Sequence, residues 1–181
     1  MTSQRPRWVA AATLAGLLVL SACGSDGDSG SLADATPSAT ASASKDADGF
    51  TAEEREVIDA VERYQDAILL RGTKSVEATL DGLTTDELFD RMVPQMKAAT
   101  EDKGLQFIGT YTLEPEVVTI SGDSAELHAC LDSSRSALVE RGQKEAGVGA
   151  IPGGLADMKY GLVKVDGVWL VNDPLKESAT C

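Results

Sequence analysis

Apolar residues change their spacing once along this chain, from a helical period to a period of two. Val57, Val61, Tyr64 and Ile68 recur at intervals of four, three and four, which places them on one face of a helix. Thr51 and Glu54 stand where a capping box would open that helix, and Arg71 and Gly72 where its last turn and a left-handed stop would close it. The pattern predicts a helix over about residues 52–71. Residues 74–102 read as shorter helical pieces, with Thr84 as a cap for Glu87 and with Leu88 and Met92 sharing a face. Pro94 cannot sit in an undisturbed helix interior, so it predicts a kink or a new helix that runs to about Glu101, with Gly104 closing the section.

From Leu105 the period becomes two. Gln106–Leu113 reads as a strand, broken by Pro115 and resumed over Glu116–Ile120. Ser121-Gly122-Asp123 is a turn signal. Ser124–Leu131 then alternates, with Ala125, Leu127, Ala129 and Leu131 on one face and Glu126, His128, Cys130 and Asp132 towards the other. A further strand fits Ala137–Arg141, and Gly142–Gly154 reads as a glycine-rich mobile loop. Met158–Val165 and Val168–Asn172 form a hairpin through Asp166-Gly167, ended by Asn172-Asp173-Pro174. Helices followed by antiparallel strands predict an α+β domain, with the N-terminal helices packed on one face of a curved antiparallel sheet.

The first 49 residues follow neither pattern. Arg5 and Arg7 precede a 12-residue apolar run, Val9–Leu20, too short for the roughly 20 residues that span a bilayer but suited to the core of a secretion signal. Pro6 separates the two arginines, so the general secretion route is the expectation. Leu20-Ser21-Ala22-Cys23 follows, and it resembles the lipobox of bacterial lipoproteins. That resemblance implies diacylglycerol on Cys23 and cleavage after Ala22. Ordinary signal-peptidase cleavage is disfavoured by the bulky Leu20 at its −3 position. Gly24–Gly49 is almost all small and polar, with Leu32 its one large aliphatic residue. Such a segment buries too little to offset its ordering entropy, and it reads as a disordered tether with an end-to-end distance of about 28 Å. The expected organisation is therefore signal peptide 1–22, lipidated Cys23 and tether 23–49, and α+β domain 50–181.

Charge narrows the partners. The 181 residues carry 16 basic and 29 acidic side chains, a formal net charge of −13. Phosphate backbones would be repelled, so nucleic acid is not expected as a partner. The expected contact with the membrane runs through the lipid on Cys23.

Motifs for catalysis are sparse. There is one histidine, His128, so a zinc site of His and Cys ligands is not expected. No G-x-S-x-G elbow occurs. Gly147-x-Gly149-x-x-x-Gly153 lacks the Lys and Ser/Thr of a phosphate loop. Asp46-x-Asp48-Gly49 has part of the spacing of a calcium loop, but Ser44 and Arg55 fall at its first and last ligand positions, where the last should be Glu. No catalytic residue, cofactor or metal is expected from these patterns.

Several segments together resemble the small actinobacterial lipoproteins with a nuclear-transport-factor-2-like, or cystatin-like, cone-shaped domain. They are Tyr64 in a long first helix, Ala125-Glu-Leu-His-Ala-Cys130-Leu-Asp132, Asp166-Gly-Val-Trp169-Leu-Val-Asn172-Asp173, and Cys181. The resemblance covers about residues 50–181. It implies that Cys130 and Cys181 pair, in keeping with an exported chain in an oxidising compartment. Two free thiols, or an intermolecular bond through Cys181, are the alternatives. It also implies an interior in which Tyr64, Tyr111 and Trp169 could line a pocket. The function expected is a non-enzymatic binding or accessory module at the outer face of the cytoplasmic membrane, meeting a small ligand or a surface protein, or pairing with itself through the open sheet face. The alternative is an isomerase- or cyclase-like enzyme, which would need a carboxylate base inside the cone.

Overall fold

The structure is a computed structural model, and it describes residues 44–181. The expected signal segment, Cys23 and most of the expected tether lie outside the described residues. The described residues fall in one compact unit.

Helix α1 (Ala52–Leu69) opens with the expected capping box. The Thr51 hydroxyl accepts from the Glu54 N–H, and the Glu54 carboxylate accepts from the Thr51 N–H at 2.6 Å. Val57, Val61 and Tyr64 are buried, Ile68 is half-buried, and Ile58, Gln65 and Ala67 widen the inner face. Gly72 adopts the left-handed conformation, with φ 59°. Arg71 is not in the last turn. It lies past the helix end and folds inward, because Thr100 and Glu101 receive its guanidinium.

Two further helices follow, α2 (Val76–Leu80) and α3 (Asp86–Ala99), with a single 3-10 turn at Glu101–Lys103. The cap of α3 is Thr85, not Thr84; its hydroxyl accepts from the Leu88 N–H. Thr84 is buried and bridges to Val171, flanked by hydrogen bonds from Thr85 N to Val171 O and from Val171 N to Leu83 O. Docking this loop on a strand delays the helix by one residue. Pro94 starts no new helix and stays inside α3.

Seven strands follow: β1 (Leu105–Gly109), β2 (Thr112–Ser121), β3 (Ser124–Asp132), β4 (Ser136–Glu140), β5 (Ile151–Pro152), β6 (Leu155–Val165) and β7 (Val168–Ser178). They form two antiparallel sheets, ordered β2-β3-β6-β7 and β1-β4-β5. The expected strand over Gln106–Leu113 is thus two strands in different sheets. The change of sheet falls at Gly109, with φ 95°, where a Cβ would stand 2.1 Å from the Arg135 carbonyl oxygen.

Neither Pro115 nor Pro174 ends its strand. Both lie on strands at the edges of the larger sheet, where a missing N–H costs no ladder bond. Both also stand near bulges: the register shifts between Pro115 and Val117, and Asn172 is the extra residue opposite the Gly161–Leu162 step. The last hairpin therefore runs to Ser178. Its Asp166-Gly167 turn has positive φ at both residues, as such a two-residue connection requires. Part of the expected loop Gly142–Gly154 is the short β5, paired with Ala137 and Leu138.

The core lies between the helices and the larger sheet. Ala125, Leu127 and Ala129 of β3, Tyr160 and Leu162 of β6, and Trp169 and Val171 of β7 meet Val57, Ile58, Val61 and Tyr64 of α1. Burying a large side chain of this kind contributes about 1.5–3 kcal/mol. The α+β class with N-terminal helices on an antiparallel sheet is the observed architecture.

Candidate functional site

Of the three aromatic residues expected to line a pocket, Tyr64 and Trp169 are packed into the core and Tyr111 is not. Tyr64 points into the core. Its hydroxyl lies 3.2 Å from the Met92 sulfur, and its ring meets Tyr160 edge-on at 6.3 Å. Burial raises the pKa of both tyrosines. Gln65 donates to the Tyr160 hydroxyl at 2.6 Å. Trp169 is buried against α1 with the Lys164 ammonium 5.0 Å above its ring, and its indole N–H has no acceptor among the described residues. Tyr111 sits at the rim, where it donates to Asp66 Oδ1 at 2.7 Å. Partial burial, followed by this hydrogen bond, raises its pKa.

An open groove of about 530 Å³ lies elsewhere, between the end of α1 and α2. Arg63 and Ala67 lie one turn apart on α1, and with Leu70, which caps the helix, they form one wall. Lys74, Ala78 and Leu83 contribute to the other side, and Arg71 stands at the junction. Arg71 has a side chain only 1% exposed. It donates to the Lys74 carbonyl at 2.8 Å and to the Thr100 hydroxyl at 2.6 Å. Glu101 Oε1 lies 3.4 Å from its guanidinium and is shared with the Val76 N–H. Its Nε has no acceptor among the described residues. Burial pulls its pKa below the usual arginine value, and Glu101 opposes that shift. Asp66 is the one carboxylate lining the groove, and its Oδ1 is engaged by Tyr111.

These basic residues carried no signal in the linear pattern. Arg71 reads as a cation at a helix end, and Arg63 and Lys74 enter no motif. Only the turn after Leu69 brings them together.

The remaining polar clusters are structural. His128 lies on the outer sheet face, as its alternation with Leu127 and Ala129 predicts. Its Nε2 is 2.9 Å from Glu126, and Lys159 meets the other oxygen of the same carboxylate at 2.6 Å. The Asp46-x-Asp48-Gly49 segment does close around a cation, but that cation is the Arg55 guanidinium. It bonds Asp46 Oδ2 at 2.5 Å and Asp48 Oδ2 at 3.0 Å. Phe50 lies under the same guanidinium. Fixed contacts thus begin at Asp46, ahead of the expected Phe50. Among the described residues, no three His, Cys, Asp or Glu side chains are grouped to hold a metal. None of the described helices is long and apolar enough to cross a membrane.

Cys130 and Cys181 are bonded, with Cα atoms 5.6 Å apart. Because β6 separates β3 from β7, this bond draws the segment after Ser178 back across β6 to β3.

No family model and no curated protein matches this sequence. Solved structures do match its shape. The intermembrane-space region of the chloroplast protein ARC6 superposes with a TM-score of 0.52 at 17% identity, covering 68% of this chain and 95% of that one. The likeness is one of fold. A protein of unknown function from Nostoc punctiforme, described as having a cystatin-like fold, aligns at 13% identity with a TM-score of 0.42, over 72% of this chain and 96% of its own.

Proposed function

We propose that this chain is an exported lipoprotein, held by lipid on Cys23 at the outer face of the cytoplasmic membrane, whose cystatin-like domain is a non-enzymatic binding module. The observation that carries the anchor is the order basic residues, short apolar run, Leu20-Ser21-Ala22-Cys23. Two acyl chains suffice for stable anchoring, since each buried CH₂ contributes about 0.8 kcal/mol. The binding reading is supported by the arrangement of the domain. Tyr64, Tyr160 and Trp169 fill the space between helices and sheet, and no Asp or Glu is buried among the described residues. An isomerase-like site would need a carboxylate beside a hydroxyl in an enclosed space. The open groove beside α1 instead offers charge and apolar wall to something that docks from outside.

Fractionation of cells that express the wild-type chain and Cys23→Ala tests the anchor. Wild type is expected in the membrane fraction, and Cys23→Ala outside it. Equal membrane retention of both would overturn the lipid attachment.

A further inference from the structure

We infer that the groove between the end of α1 and α2 binds a small amphipathic anion: an oxyanion head, carboxylate or phosphate, on an apolar body. The inference deepens the binding-module reading and rests on it.

Three cations, Arg63, Arg71 and Lys74, line this groove against one carboxylate, Asp66. Such a concentration of positive charge stands out on a chain of net charge −13. Bringing like charges together and burying one of them costs free energy unless an anion offsets it. The internal compensation is incomplete. Arg71 is buried, its two close hydrogen bonds go to neutral oxygens, its nearest carboxylate is at 3.4 Å and is shared with a backbone N–H, and its Nε has no acceptor among the described residues. Asp66 supplies a single negative charge, and its Oδ1 already accepts from Tyr111.

Apart from Thr79, the rest of the lining is apolar. Leu70 is 49% exposed although it follows the buried Leu69 directly, and Ala67, Ala78 and Leu83 continue its surface. A bare inorganic anion would leave that surface wet, whereas a short alkyl or similar body would cover it. The volume, about 530 Å³, lies within the usual range for small-molecule sites. Guanidinium and ammonium groups recognise carboxylate and phosphate oxygens through charge-assisted hydrogen bonds.

The test uses residues 41–181 with the disulfide intact, followed by amide NMR during titration with octanoate, octyl phosphate and inorganic phosphate. The amphiphiles are expected to shift amides between Arg63 and Leu83, with inorganic phosphate at least tenfold weaker. The double variant Arg63→Gln/Lys74→Gln, both positions exposed and outside the core, is expected to bind octyl phosphate at least tenfold more weakly while keeping its wild-type spectrum elsewhere. Arg71→Gln would also remove a structural tie, so the double variant decides. Shifts confined to other surfaces, or equal affinity in the double variant, would overturn the inference. Sedimentation with phosphatidylglycerol vesicles but no response to free octyl phosphate would overturn it in favour of a membrane surface. Failure of this site leaves the fractionation result for Cys23→Ala untouched, so the two proposals fail separately.

Discussion

Single residues here reveal their roles through their partners more than through their chemistry. Asp46, Asp48 and Gly49 have the local spacing of a metal loop, yet the position that should supply the last ligand carries Arg55. The guanidinium itself sits between the two carboxylates. The loop is a clasp on the start of α1. Asp46 also accepts from the Phe50 and Asp48 N–H groups, and these bonds, with Arg55, hold its carboxyl below the usual pKa. A depressed carboxylate stabilises the fold above its unfolded pKa of about 3.9 and loses that contribution as pH falls through the folded value. Asp46→Asn is therefore expected to lower stability at neutral pH and to flatten its fall below about pH 4. Urea midpoints from pH 2 to 7 check this; parallel curves for wild type and variant would contradict the clasp. Arg71 shows the same dependence on context. It reads as a helix-end cation, and it becomes the buried corner of a groove because Thr100 and Glu101 wait for it 29 and 30 residues later.

At the scale of elements, the strongly periodic segments were legible and their junctions were not. The capping box of α1, the alternation of β3 and the Asp166-Gly167 turn all depend on interactions within a few residues. The division of residues 105–121 into two strands of different sheets depends on β4, which supplies the partner for β1. Gly109 marks that division, because only a residue without Cβ fits beside the Arg135 carbonyl. Gly109→Ala is expected to cost about 1–3 kcal/mol, the usual range for overpacking. Gly142→Ala, also left-handed but facing open space, should cost less. Urea unfolding of both variants measures the difference, and equal losses would mean that the close approach relaxes easily. The prolines show the limit of local rules from the other side. Pro115 and Pro174 act as strand breakers in isolation, but edge positions remove the need for their missing N–H.

For the whole molecule, the disulfide is the covalent tie. It closes a separation of 51 residues and pins the segment after β7 to β3. In the chain-entropy model a loop of this length stabilises by about 4 kcal/mol, and measured values are commonly lower. Replacing both residues, Cys130→Ser with Cys181→Ser, should lower unfolding free energy by about 2–4 kcal/mol in urea. A loss below about 0.5 kcal/mol would show that the tail adds nothing to the folded state.

The amino-acid pattern by itself determined the α+β class, the long first helix and the inward face of β3, because each follows from burial periodicity over consecutive residues. The pairing of Cys130 with Cys181 came from family likeness and is now placed across β6. Tertiary structure alone decided that Tyr64 and Trp169 join the core while Tyr111 stays at the rim, and that Arg63, Arg71 and Lys74 share a groove. The reason is physical: periodicity reports which side of an element is buried, whereas a site is made where separate elements meet. That meeting is set by the turn after Leu69 and by contacts some thirty residues distant.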